Sequence, residues 1–209
     1  MIITIDANIG AGKSTVMEWL KREKGCTISV EPVDKWTPYL HEMYHLGRGV
    51  FEFQVRVWLD RGWPDTNEAE NRIVVMERSP LFQKKVFIPI NAELNRLTAR
   101  EAHSLSEMYD ITFNLWQPDK YIYLRSNPEK CAERILRRCR DTEADIPLSY
   151  LRRLHELHES TYEWIDQLNV LNESNADNES RIAVIDVEGK SVADIGAAIW
   201  NFISKTTSP

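Results

Sequence analysis

The sequence is poor in the features that announce several function classes. It holds three cysteines, Cys26, Cys131 and Cys139, an odd number without the paired spacing of a metal site. Reduced thiols in a cytosolic protein are the expectation. Positive charge is not in excess: 26 Lys and Arg stand against 32 Asp and Glu, a formal net charge of −6. No global basic field therefore draws the chain to nucleic acid or to a membrane surface. No apolar run is long enough to span a bilayer and no signal-peptide pattern is present, so a cytoplasmic location is expected. There are no internal repeats, and the polar stretch 172–181 reads as a surface loop, not a domain linker.

What is there is an ordinary globular composition. The 209 residues are 43% hydrophobic and 28% charged, which suits one α/β domain over residues 1–209 with a well-buried core. Short apolar runs at 2–5, 27–30, 73–76, 121–124 and 183–187 read as strands. Helical patterns lie between them, at 14–24, 38–63 with a break at Gly47 and Gly49, 99–116, 128–139, 148–168 and 192–203. Pro128 is well placed in a first helical turn. Strands alternating with helices predict a five-stranded parallel sheet flanked by helices, with right-handed crossovers. Ligands of such sheets bind beyond the C-terminal strand ends.

The first such end carries Ala7-Asn8-Ile9-Gly10-Ala11-Gly12-Lys13-Ser14-Thr15. A strand, a small-residue loop and Gly-Lys-Ser at a helix start form a phosphate cradle, with loop N–H groups aimed at phosphate oxygens. The helix adds its positive end. Lys13 is expected to reach the outer phosphates and Ser14 to hold Mg²⁺. The usual pattern is G-x-x-x-x-G-K-[ST], and Ala7 occupies its first glycine, where a Cβ does not tolerate a φ > 0 turn.

Two further strand ends carry charge. Glu31 follows the second strand, and Pro32 restrains it to an extended conformation. A carboxylate there can accept a proton from an attacking hydroxyl, or can simply be a charge beside a turn. Glu77-Arg78-Ser79 ends the third strand. The carboxylate can hold the water shell of Mg²⁺, and the arginine can steady a transferring phosphoryl group. Between two helices lie Arg134, Arg137, Arg138 and Arg140, then Asp141, Glu143 and Asp145, placed as an arginine-rich lid over about 137–147.

Two motifs are decoys. His41-Glu42-Met43-Tyr44-His45 matches H-E-x-x-H, but Arg48 and Phe51 stand where the extended zincin pattern has glycine and a third histidine. A distant carboxylate such as Glu68 is the remaining kind of ligand for that motif. Asp186-Val187-Glu188-Gly189 matches the D-x-x-G of GTPases. It lies too near the C-terminus, and Asn127-Pro128-Glu129-Lys130 follows the fourth strand in place of Asn-Lys-x-Asp.

Taken together, residues 8–15, Glu31-Pro32-Val33-Asp34-Lys35-Trp36, Met76-Glu77-Arg78-Ser79, Tyr123-Leu124-Arg125, and 146–151 running into 154–159 resemble the deoxyribonucleoside kinase family in family order, to about Trp164. The resemblance implies the P-loop kinase fold and ATP- and Mg²⁺-dependent phosphorylation of a deoxynucleoside 5′-hydroxyl. It implies Glu31 as base with Arg78 as its partner, and Glu77 with Ser14 on the Mg²⁺ side. Asn8, Ile9, Gly10, Ala11, Gly12, Lys13, Ser14 and Thr15 would bind the ATP phosphates, joined by Arg134, Arg138 and Arg140. Tyr44 and Glu143 would hold the sugar 3′-hydroxyl. Gln54 would read the base edge and Phe87 stack on the base, with Trp36 and Val57 as pocket walls.

The pattern also has departures. Gln83 stands where cytidine- and purine-preferring members place an aspartate, while Arg61 falls where they place an arginine. Thymidine and deoxycytidine are the substrates towards which this leans. Members form homodimers through helices beside the core, and the short chain is similar to versions encoded by large DNA viruses. A nucleoside monophosphate kinase, such as thymidylate kinase, is the nearest alternative. It would have an arginine at Val30 and Asp-Arg in place of Glu77-Arg78. A nucleotide-binding switch needs Lys13 and Ser14 but has no use for Glu31, Glu143 and the lid arginines together.

Overall fold

The computed structural model describes residues 1–64, 73–140, 143, 146–171 and 181–205, with backbone alone for 168–171. Asp141, Asp145, Glu68 and the expected loop at 172–180 lie outside the described residues.

In chain order the elements are β1 (Ile2–Ala7), α1 (Lys13–Lys24), β2 (Thr27–Ser29), α2 (Val33–His41), a π-helical turn Glu42–Leu46 and α3 (Val50–Arg61). Then come β3 (Val74–Glu77), α4 (Pro80–Phe82), a π-helical turn Gln83–Phe87, α5 (Ile88–Glu93) and α6 (Ala99–Leu115). The chain continues through β4 (Lys120–Arg125), α7 (Pro128–Arg138), α8 (Leu148–Leu171), β5 (Ile182–Asp186) and α9 (Val192–Ser204). The five strands form one sheet in the order β2-β3-β1-β4-β5, every neighbouring pair parallel. This is the α/β architecture expected from the alternation of apolar runs and helical patterns.

The strand order decides what meets. β1, β2 and β3 are adjacent, with Ile5 opposite Glu77 and Ser29 opposite Met76. The segments leaving these three strands therefore emerge side by side. The sheet core packs Ile3, Ile5, Val75 and Ile122 against Met17 and Leu20 of α1. A second apolar cluster, including Trp36, Phe53, Val57, Leu105 and Tyr109, joins α2, α3 and α6.

Several elements differ from expectation. The helix predicted from residue 38 begins at Val33 and runs through Pro38. No helix was expected between residues 76 and 99, yet α4, a π-helical turn and α5 fill 80–93. Pro80 and Pro89 interrupt the pattern, and Leu81, Phe82, Val86, Phe87, Ile88 and Ile90 are buried on several faces while Lys84 and Lys85 stay part-exposed, so no single apolar stripe announces a helix. Its start is nevertheless a local signal: Ser79 Oγ accepts from Phe82 N at 3.1 Å, with Pro80 in the first turn.

Candidate active site

A cavity of about 640 Å³ opens at the C-terminal ends of β1, β2 and β3, between the two apolar clusters. One end is lined by Ile9, Gly10, Gly12, Lys13, Ser14 and Thr15. Gly10 (φ +81°) is required twice over, because a Cβ there would stand 2.6 Å from the Cys131 carbonyl oxygen of α7. Ala7 needs no such freedom. It is the last residue of β1, buried, and absent from the positive-φ residues, so glycine's freedom is not needed at the first motif position. Asn8 is turned out of the cavity wall. Its Nδ2 donates to the Leu151 carbonyl at 2.8 Å and its Oδ1 accepts from Ile9 N, which ties the loop to α8. Ala11 is likewise outside the lining.

Lys13 is 7% exposed, and its Nζ lies 3.4 Å from the Ala7 carbonyl. Burial lowers its pKa, with Arg78 adding to the effect and Glu77 and Glu31 opposing it. Ser14 Oγ donates to Glu77 Oε1 at 3.3 Å, and Glu77 Oε2 accepts from Glu31 N at 3.2 Å. A hydroxyl and a carboxylate so close are hard oxygen donors of the kind Mg²⁺ takes, and they fit that ion beside the phosphate loop.

Across from Lys13, Arg78 Nε donates to Glu31 Oε1 at 2.6 Å, with both side chains nearly buried. Burial alone would raise the Glu31 pKa, but the Arg78 and Lys13 charges outweigh it and hold the carboxyl below its ordinary value. Glu31 is therefore a carboxylate at neutral pH. Arg78 adopts φ +66°, a left-handed backbone uncommon outside glycine. The turn is held by Arg78 N on the Ile5 carbonyl and by Ser79 N on Asp6 Oδ1, each at 2.9 Å. Burial pushes Asp6 up to about 6 against the opposing bonds and charges. Sequence reasoning missed Asp6, although a carboxylate in an otherwise apolar strand was a visible signal.

The far end is walled by Trp36, Leu40, Met43, Tyr44, Phe53 and Val57, with Gln54, Gln83, Phe87 and Asn91. Arg78 also covers the Phe87 ring, its guanidinium carbon 4.1 Å from the centroid. Gln54 Oε1, Gln83 Oε1, Asn91 Oδ1 and Arg78 Nη1 are buried without a hydrogen-bond partner among the described residues. Such concentration of unused polar capacity is typical of a ligand site. Asn91 is a second residue that sequence reasoning missed. Its helix was itself unforeseen.

Arg138 and Arg140 line the cavity and both pair with Glu143, Arg140 at 3.4 Å. Arg61, Arg134 and Arg137 do not line it; Arg137 is exposed and pairs with Glu133 at 3.7 Å. Arg134 bonds Ser126 Oγ at 2.7 Å and Glu188 at 3.3 Å. Arg61 is buried against the backbone of β2 and β3. Of the decoys, His41 and His45 bring their rings to 4.6 Å, and no group of three or more His, Cys, Asp or Glu able to hold a metal occurs among the described residues. Glu188, in the GTPase-like motif, accepts from Ser126 Oγ and Asn127 N.

The glycine-rich loop with Lys13 and the buried Glu31–Arg78 pair thus line one cavity. The family model for deoxynucleoside kinase matches residues 3–203. The chain belongs to the deoxynucleoside kinase family. The chain is 33% identical over 172 residues to human mitochondrial thymidine kinase 2, a match covering 78% of this chain and 64% of that protein. It is 26% identical over 223 residues to the probable deoxycytidine kinase of fowlpox virus, covering 97% and 88%. Among solved structures it is similar to the deoxyadenosine kinase of M. mycoides with products dCMP and a flexible dCDP bound. That match has a TM-score of 0.79 and 25% identity, and covers 99% of this chain and 100% of the other chain. No helix among the described residues is long and apolar enough to cross a membrane.

Proposed function

We propose that this kinase transfers the γ-phosphate of ATP to the 5′-hydroxyl of a deoxynucleoside, with thymidine and deoxycytidine favoured, for nucleotide salvage in the cytoplasm. One observation carries the reading. Lys13 and Glu31 line the same cavity, and the pocket beyond Glu31 is walled by aromatic and amide side chains in place of a cluster of cations.

In this reading Glu31 accepts the proton of the 5′-hydroxyl as its oxygen attacks phosphorus, and the bond from phosphorus to the bridging oxygen of ATP breaks. Arg78 keeps Glu31 ionised and oriented. Lys13 and the loop N–H groups hold the phosphates, and Arg138 and Arg140 meet them from the lid. Ser14 and Glu77 would hold Mg²⁺, which supplies charge neutralisation to the phosphates when bound. Gln54 meets the base edge, Phe87 stacks on the base, and Tyr44 with Glu143 binds the 3′-hydroxyl. Gln83, Trp36 and Val57 complete the pocket. Residues 1–209 act as one catalytic domain with a lid at about 137–147. A homodimer accounts for the exposed apolar side chains of Leu59, Trp63, Ile111 and Leu115 on and beside α3 and α6.

The test is a panel of four deoxynucleosides and dTMP with ATP and Mg²⁺. Turnover of nucleosides and not of dTMP is expected. Turnover of dTMP alone would identify a monophosphate kinase instead.

A further inference from the structure

Arg61 sits at the end of α3, 8% exposed, outside the cavity lining. Its guanidinium reaches across two strand tips. Nη2 donates to the Ser29 carbonyl of β2 and to the Glu77 carbonyl of β3, each at 2.9 Å. Nη1 donates to Ser29 Oγ at 2.7 Å and lies 3.5 Å from the Val30 carbonyl. Ser29 and Val30 are the residues just before Glu31, and Glu77 is the residue just before Arg78.

The sheet itself does not hold these tips together. β2 is a three-residue edge strand, and its ladder with β3 ends at the pair Ser29 and Met76. Glu31 and Arg78 both lie past that last rung. Besides the Arg78–Glu31 ion pair itself, two contacts among the described residues cross the gap there: Glu31 N on the Glu77 carboxylate, and the Arg61 guanidinium on both backbones. The bonds to carbonyls are charge-assisted, that to Glu77 buried and that to Ser29 partly so, and such bonds are strong and costly to break. A planar fork with donors at fixed angles can serve two strands at once, which a single ammonium does less well. Its charge also lies in the field of Glu31 and Glu77. Position 83, across the cavity, carries an uncharged amide, so no carboxylate there draws the guanidinium into the pocket.

We infer that Arg61 is a positioning residue that sets the spacing of Glu31 and Arg78, and that it does not read the substrate's base. This rests on the functional reading above. A misplacement of reacting groups by about 1 Å costs on the order of a hundredfold in rate. Arg61→Met keeps the stem and removes the fork.

The experiment is steady-state kinetics of wild type, Arg61→Met and Arg61→Lys on thymidine, deoxycytidine and deoxyadenosine. The expected result for Arg61→Met is a kcat lower by roughly ten- to a hundredfold on every nucleoside alike. Nucleoside KM should stay within about threefold and the ranking of nucleosides should hold. Arg61→Lys should recover part of kcat. If Arg61→Met fails to fold, the lysine variant alone decides: reduced kcat with unchanged ranking supports the clamp. A changed ranking, or a raised KM with kcat intact, in either variant overturns it and makes Arg61 a base reader. A wild-type protein that phosphorylates no nucleoside would overturn the functional reading and the clamp's catalytic role together, whereas an altered ranking in an active enzyme overturns the clamp alone.

Discussion

Arg78 Nε meets Glu31 Oε1 at 2.6 Å from a left-handed backbone, φ +66°, just past the end of β3. The strained turn is held from three sides, by the Ile5 carbonyl, by Asp6 and by Arg61 on the Glu77 carbonyl. Strain of this kind costs on the order of 1–3 kcal/mol and persists where surrounding contacts over-determine it.

Glu31→Gln keeps the shape of the side chain and removes the base. Nucleoside binding, read by calorimetry, should be retained. Turnover should fall by roughly 10²–10⁴. Unchanged turnover would take Glu31 out of the proton transfer.

Lys13 is buried at the end of the cavity lined by the glycine-rich loop. Lys13→Ala should lower ATP-dependent turnover by about a hundredfold or more, since a preorganised charge at a transferring phosphoryl group is a large contribution. Full activity of the variant with ATP would contradict the cradle.

Gly10→Ala adds a Cβ at φ +81° and 2.6 Å from the Cys131 carbonyl. The loop must then shift away from α7. A loss of about 1–3 kcal/mol in unfolding free energy is expected in urea titration, with weakened nucleotide binding. A variant as stable as wild type with intact affinity would show that the loop has room the structure denies.

Asp6 links pH to stability. Its carboxyl is raised from 3.8 to about 6 by burial, against the Ser79 bond and the Arg78 and Lys13 charges. A raised folded value means the native state binds the proton more tightly than the unfolded chain. Its contribution is then full below pH about 4 and is lost as pH rises through 6. Asp6→Asn removes the titration and can keep an acceptor for Ser79 N. The stability of wild type minus that of the variant should fall by roughly 2 kcal/mol between pH 4 and 7. A difference independent of pH would mean that Asp6 does not titrate there.

Much of this was legible in the chain, and for one reason: the signals are local. Apolar runs announce strands, Gly10 and Gly12 announce a tight loop before Lys13, and Pro32 after Glu31 marks a carboxylate held at a strand end. Charged residues placed directly after buried strands could be assigned to one crevice because parallel sheets bring those ends together. Ala7 looked like a defect because the motif pattern does not say which glycine needs a positive φ.

The destination of long side chains was not legible. Arg61 and Arg134 are flexible stems whose partners, Glu77 and Glu188, lie 16 and 54 residues away in the chain. Nothing near them in sequence tells whether the fork turns to a ligand or to a backbone carbonyl. The largely buried helices at 80–93 and the role of Asp6 were hidden likewise, since a segment without one clear apolar stripe and a lone carboxylate acquire meaning only from what packs against them. Local preference writes the elements and their order, whereas desolvation and long-range hydrogen bonding, which exist only after collapse, assign each charge its partner.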